Sequence, residues 1–270
     1  MTRRFWAQYR TTEFAPLPEG TIDPNRTIAI LPTAAIEQHG PHLPVGVDTM
    51  IQNGMIATLC EQLDDGPGAD LDVRILPTQA IGKSNEHLHA PGTLTLTAAQ
   101  VLETWVEIGL SVARAGVRKI VIVNSHGGNL DLINIIAREL RVQANMLCAR
   151  TQWMNFGTPE DMPGGPLSAD EARFGIHGGD LETSLMLHFH PGLVDMAHAK
   201  NFKSTAAEGG LQPTGLPSYG WIASDLNDDG TVGDATNGSA ERGAAVARHQ
   251  ANGFIDMLRE VEAFDLARFT

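Results

Sequence analysis

Lys119-Ile120-Val121-Ile122-Val123-Asn124, running directly into Ser125-His126-Gly127-Gly128-Asn129, is the stretch whose reading decides the fold. Its four consecutive β-branched residues point alternately to the two sides of a strand, so both sides are apolar and both need cover. Such a strand belongs in a parallel sheet between layers of helices. Outward from it, β-rich runs at Thr27–Pro32, Val73–Pro77 and Met146–Gln152 alternate with helical patterns. The helical patterns cover Asp48–Leu63, Thr97–Ala115, Leu130–Gln143 and Leu181–His188, with a long closing helix from about Ser239 to Phe264. The alternation predicts an α/β fold with a mostly parallel central sheet flanked by helices, in a single domain over residues 1–270. Gly, Pro, Ser and Asp crowd together between Gly157 and Gly179 and between Gly209 and Gly238, which reads as two long loops of the kind that carry function.

The net charge of −13 and the absence of a Lys/Arg cluster exclude nucleic acid and anionic membranes as expected partners, because phosphate binding rests on clustered cations. Cys60 and Cys148 lie far apart inside apolar segments, as reduced core thiols do. Met1–Leu17 carries Arg3, Arg4 and Arg10 but no continuous apolar run, and no later stretch is long enough to span a bilayer. The expected location is cytoplasmic.

Three groups of residues carry chemistry. The first strand candidate leads into Ala35-Ile36-Glu37-Gln38-His39-Gly40-Pro41-His42, with Asp48 at the next helix start. Glu37 and His39, two apart on extended backbone, point the same way and can face one ion; Asp48 can bridge two, or simply cap its helix. His126 leaves the strand Lys119–Asn124 at its carboxyl end, the position where ligands bind in open α/β sheets, and Gly127 and Gly128 let the backbone approach a ligand closely. His177-Gly178-Gly179-Asp180-Leu181-Glu182 closes the first long loop. There Asp180 and Glu182 are candidate oxygen ligands or stabilisers of a helix N-terminus, and His177 is a candidate proton donor. Lys83-Ser84-Asn85-Glu86-His87-Leu88-His89 lies on the same rim, where Glu86, His87 and His89 either touch substrate or brace the ligands. Asp225-Leu226-Asn227-Asp228-Asp229-Gly230 imitates half a calcium loop, but Thr236 stands where the bidentate Glu belongs.

These ordered motifs resemble the creatininase family of creatinine amidohydrolases and related enzymes. The likeness rests on Glu37-Gln38-His39-Gly40-Pro41-His42 with Asp48, His87-Leu88-His89-Ala90-Pro91-Gly92-Thr93, Asn124-Ser125-His126-Gly127-Gly128-Asn129, His177-Gly178-Gly179 with Glu182-Thr183-Ser184, and Gly230–Asp234 with Glu241-Arg242-Gly243. The resemblance implies a three-layer α/β sandwich, two divalent ions of Zn or Mn, with Fe a third option, and a homo-oligomer, often a hexamer. It carries Glu37, His39, the bridging Asp48 and His126 over as metal ligands. Creatininase proper has Tyr-Glu where this chain has Gly127-Gly128, so one carboxylate ligand is missing and Glu182 is the expected replacement, as both ligand and catalytic group. Arg173 stands where creatininase has a Trp, four residues before His177, which points away from creatinine and toward a substrate carrying a carboxylate or phosphate. The expected activity is hydrolysis of an amide, cyclic amide or formamide C–N bond in a small molecule by a metal-activated hydroxide, with His177 protonating the leaving nitrogen and Glu86, His87, His89, Gly127 and Arg173 around the substrate. The alternatives are a family-branch peptidase or deformylase, and a non-catalytic metal-binding or assembly protein on the same scaffold.

Overall fold

The computed structural model describes residues 3–14 and 20–269. Four parallel strands, β1 (Ile28–Thr33), β2 (Val73–Ile75), β3 (Lys119–Asn124) and β4 (Leu147–Gln152), pair in the order β2-β1-β3-β4. Side-chain alternation divides the core. Ile28, Ile30, Val121 and Val123 face one apolar cluster, while Ala29, Leu31, Ile120 and Ile122 face another.

Three helices close the first face: α1 (Val47–Asp65), through Ile51, Met55 and Leu59; α5 (Asp180–Phe189), through Leu181 and Leu185; and α7 (Ala240–Ala263), through Phe254 and Leu258. The second face is closed by α2 (Ala98–Arg114), through Val101 and Trp105, and α3 (Leu130–Ala144), through Ile133, Ile136 and Leu140. The result is the three-layer α/β sandwich that the sequence predicts.

Local chemistry sets the element ends. Thr97 caps α2 with its hydroxyl on the Gln100 amide, and Asn145 ends α3 in the left-handed region at φ 51°. β2 stops at Ile75 rather than Pro77; the chain still pairs through the Leu76 amide to the Ile30 carbonyl at 2.8 Å, but Pro77 has no N–H to continue with. The two long loops are not structureless. The first holds α4 (Ala169–Phe174), capped by Ser168. A short antiparallel pair joins β5 (Asn201–Phe202) to β6 (Gly233–Asp234), and α6 (Ala223–Leu226) lies in the second loop. Cys60 and Cys148 are free thiols, half-buried rather than fully enclosed, and burial pushes them up to about 11 and about 12. Among the described residues no helix is long and apolar enough to cross a membrane.

β1 and β3 are neighbours, yet the chain leaves them toward opposite faces, into α1 on one side and α3 on the other. That divergence opens a crevice at the carboxyl ends of the two strands, and the two ligand-rich loops flank it.

Candidate metal centre

Glu37 and His39 enter the crevice from the segment after β1, Asp48 from the first turn of α1, His126 from the end of β3 and Glu182 from the first turn of α5. His177 arrives from the turn before α5, pinned by its backbone bridge to Val232. Gly178, at φ +72°, makes that turn possible, since a Cβ there would strike the Thr231 side chain. Glu37, His39 and Asp48 are each no more than 2% exposed, and Glu182 forms the open edge with a side chain 25% exposed.

Each histidine is aimed by a backbone carbonyl, which can only accept a hydrogen bond. His39 donates from Nδ1 to the Glu37 carbonyl at 3.0 Å, which turns Nε2 toward Asp48 Oδ1 at 3.5 Å and Glu182 Oε2 at 3.8 Å. His126 donates from Nε2 to the Lys83 carbonyl at 2.9 Å, which turns Nδ1 toward Glu37 Oε1 and Asp48 Oδ2, both at 3.3 Å. His177 donates from Nε2 to the Gln38 carbonyl at 2.7 Å, leaving Nδ1 at 3.5 Å from Glu37 Oε1. Asp48 therefore offers one oxygen to His39 and the other to His126.

Three of these donor atoms, Glu37 Oε2, His39 Nε2 and Asp48 Oδ2, are buried and have no hydrogen-bond partner. The neighbouring charges lie in ion-pair range without hydrogen-bond geometry, so the electrostatic distances and the missing hydrogen bonds describe one arrangement: donors spaced around a gap. Leaving such atoms unsatisfied is costly unless a cation completes them. Ligand atoms of Glu37, His39 and Asp48, of His39, His177 and Glu182, and of Glu37, Glu86 and His126 each fall within 4.8 Å of one another. The donor set, mixed imidazole and carboxylate, suits Zn or Mn.

The protonation states follow from this crowding. Burial is the largest influence on His39 and pulls its pKa down, but Asp48 and Glu182 outweigh it and raise the imidazole to about 9. Burial and the nearby Asp48 and Glu37 carboxylates raise Glu182 to about 7 against the attraction of His39. His126 is held well above the usual histidine range, because Glu37 and Asp48 overcome its burial. His177 is held well below that range by burial and by His39, so it stands neutral with a free lone pair on Nδ1. Burial brings His87 down to about 4.

A family profile described as creatinine amidohydrolase matches residues 18–258. The chain belongs to the creatininase family. It is 32% identical over 234 residues to the mycofactocin precursor peptide peptidase of Mycolicibacterium smegmatis, across 86% of this chain and 84% of that one. It is 28% identical over 256 residues to the creatinine amidohydrolase of Pseudomonas putida, across 90% and 92% of the two chains. A solved structure of creatininase with Mn superposes with a TM-score of 0.67 at 26% identity, covering 87% of this chain and 90% of that one.

Within this creatininase-family site, the rim residues separate. Glu86 is half-buried, with Oε1 3.6 Å from His126 Nε2, the ring nitrogen turned away from Glu37 and Asp48. It reaches there because position 128 has no side chain: a Cβ on Gly128 would collide with Glu86, the Lys83 carbonyl and the His126 ring. His87 is 1% exposed and lies against Glu37, as a brace does. Gly127 is exposed with open space where a Cβ would be, and His89 is exposed on the rim.

Arg173 is exposed on α4 with its guanidinium 5.0 Å above the Phe174 ring, and no hydrogen bond or ion pair joins it to the cluster. One expectation needs correction. Asp180 is no ligand: both its oxygens are taken by Arg242, at 3.0 and 2.6 Å.

Sequence reasoning passed over Gln38, whose amide lies between His87, His177 and Gly230. It also passed over Glu171, whose buried carboxylate accepts from the Asp180 and Asp234 amides at 2.8 and 2.6 Å and ties the start of α5 to β6. Gln38 was signalled only by standing between two ligand candidates, and Glu171 by nothing local.

Proposed function

We propose that the chain is a metal-dependent amidohydrolase whose single domain holds two divalent ions, Zn or Mn, between Glu37, Asp48 and His126 on one side and His39, Asp48 and Glu182 on the other. The observation that carries the reading is Asp48, which divides its two carboxylate oxygens between His39 and His126 while buried donor atoms on Glu37, His39 and Asp48 lack partners. Bound divalent metal supplies a Lewis acid and makes water acidic enough to ionise near neutral pH.

The chain's own residues do the rest. Substrate enters over Gly127, where no side chain obstructs, and meets the cluster beside Glu182, the most open of the ligands. His177, neutral and anchored through Nε2–H, takes a proton on Nδ1 and returns it to the departing nitrogen, its charge stabilised by Glu37 at 3.5 Å. The buried walls around Glu37, His39 and His87 keep bulk water from the reacting groups.

The bond cleaved is an amide-type C–N bond. A peptide bond is a second reading, favoured by the 32% identity to a precursor peptide peptidase and by the unobstructed approach at Gly127.

Chelation followed by a panel of creatinine, N-formyl compounds and short peptides tests both. The expected result is activity lost on chelation, restored by Zn or Mn, and lowered roughly 100-fold or more by His177→Ala with metal content intact. Full turnover in a metal-free sample would end the proposal, and metal binding without turnover on any C–N substrate would favour a binding protein.

A further inference from the structure

Gln38 lies between the ligands Glu37 and His39, and its side-chain amide has no freedom of orientation. Oε1 accepts from the Gly40 amide at 2.9 Å, and Nε2 donates to the Gly230 carbonyl. A backbone N–H can only donate and a carbonyl can only accept, so these two contacts fix which end of the amide is oxygen. Gly230 holds its carbonyl there at φ +71°, and a Cβ at that position would come within 2.9 Å of the Gln38 amide.

The second hydrogen on Nε2 then meets His87 Nδ1 at 2.8 Å, both side chains being buried. Nδ1 must accept, so the ring proton of His87 sits on Nε2. That nitrogen lies 3.4 Å from Glu37 Oε1.

We propose that Gln38 and His87 are positioning residues: two backbone groups orient the Gln38 amide, the amide fixes the His87 tautomer, and His87 presents an N–H donor that holds Glu37 in place to ligate metal. The His87 ring stacks on His177 at 4.3 Å between centroids, which fixes its plane as Gln38 fixes its proton. His87 thus neither binds an ion nor touches substrate, although its nitrogen lies within 4.8 Å of ligand atoms of Glu37 and His177. Groups that orient a ligand in this way typically account for about 10- to 100-fold in metal affinity.

The inference rests on Glu37 being a ligand, so the test reads metal binding and tautomer rather than turnover. Zn is titrated in competition with a chromophoric chelator against wild type, Glu37→Ala, His87→Leu, His87→Gln and Gln38→Leu. Ring 15N shifts of His87 are read in the metal-free wild type. The expected results are a His87 proton on Nε2, an affinity loss of about 10- to 100-fold in His87→Leu and in Gln38→Leu, and recovery to within about threefold in His87→Gln, whose amide N–H reaches the same place.

A proton on Nδ1 in the wild type overturns the proposal whether or not any variant folds. So does unchanged affinity in His87→Leu, which would leave His87 a substrate contact. Equal loss in His87→Gln and His87→Leu also overturns it, because it would make His87 a ligand itself. Unchanged affinity in Glu37→Ala would instead remove the reading of the centre on which the proposal stands.

Discussion

Asp180 and Glu182 stand two residues apart in the first turn of α5, and sequence alone offers both as oxygen ligands. On a helix, positions two apart face nearly opposite directions, so only one can reach the crevice. Glu182 does, and Asp180 turns to the other side. There it pairs with Arg242, whose remaining donors reach the Pro163 and Gly165 carbonyls at 2.6 and 2.8 Å, while Ser184 donates to Asp180 at 3.1 Å. The pair is fully buried, with side chains 5% and 3% exposed, and satisfied at every atom that matters. Arg242→Ala would leave the Asp180 carboxylate buried and unpaired, so we expect a loss of about 3–5 kcal/mol by urea denaturation of the metal-free protein, most of it recovered in Arg242→Ala with Asp180→Leu. An unchanged midpoint in the single variant would remove the pair's structural role. Gly128 decides a second residue-scale outcome. Gly128→Ala forces Glu86 and the Lys83 carbonyl away from His126, so zinc affinity should fall about 10-fold or more by chelator competition. Affinity equal to wild type would mean that nothing behind His126 bears on its ligation.

At the scale of elements, the legible parts were those with periodicity. The run Ile120–Val123 is apolar at every position, and the strand Lys119–Asn124 falls where the sequence puts it, because a two-sided core leaves one solution. The same alternation sends Ala29, Leu31, Ile120 and Ile122 onto α2 and α3, where Trp105 is only 1% exposed. Trp105→Ala would open a cavity between α2 and the sheet, and we expect about 3–5 kcal/mol of destabilisation in the same denaturation assay; a loss below about 1 kcal/mol would show that the helix repacks freely. The short elements α4, α6, β5 and β6 were not legible. They have too few residues to show a period, and they are held by distant partners such as Glu171, which reaches Asp234 across 63 positions of sequence. That Glu37, His39, Asp48 and His126 meet at one crevice was legible because strand ends and helix starts have known places in an α/β sheet, while their role as ligands came from the family resemblance. The roles of Gln38, Glu86 and Glu171 depend on which loops meet in space, and no local pattern encodes that.

For the molecule as a whole, the folded chain gathers Glu37, Asp48, His39, His126 and His177 into one space, with Glu182 at its open edge, and the consequence is a linkage between pH and metal. In the metal-free protein His39 is raised from 6.5 to about 9, so its protonated form stabilises the fold. That stability is fully present below about 6.5 and fades as pH rises through about 9. An incoming ion needs the His39 lone pair and must expel this proton, so binding grows stronger over the same interval in which the metal-free fold weakens. Each expelled proton makes affinity rise about 10-fold per pH unit. Between pH 7 and 8 His39 alone requires close to that slope, which falls to about half by pH 9, and below about 7 Glu182, raised by burial and its carboxylate neighbours, adds a proton of its own and steepens it. Zinc calorimetry in buffers of different ionisation enthalpy should therefore show about one proton released from the His39 site at pH 8 and more at pH 6. The zinc-induced rise in Tm should accordingly be larger at pH 8.5 than at 6.5. Affinity that stays level from pH 6 to 9 would mean that the ion does not sit on His39 and Glu182, and the second half of the proposed centre would have to be given up.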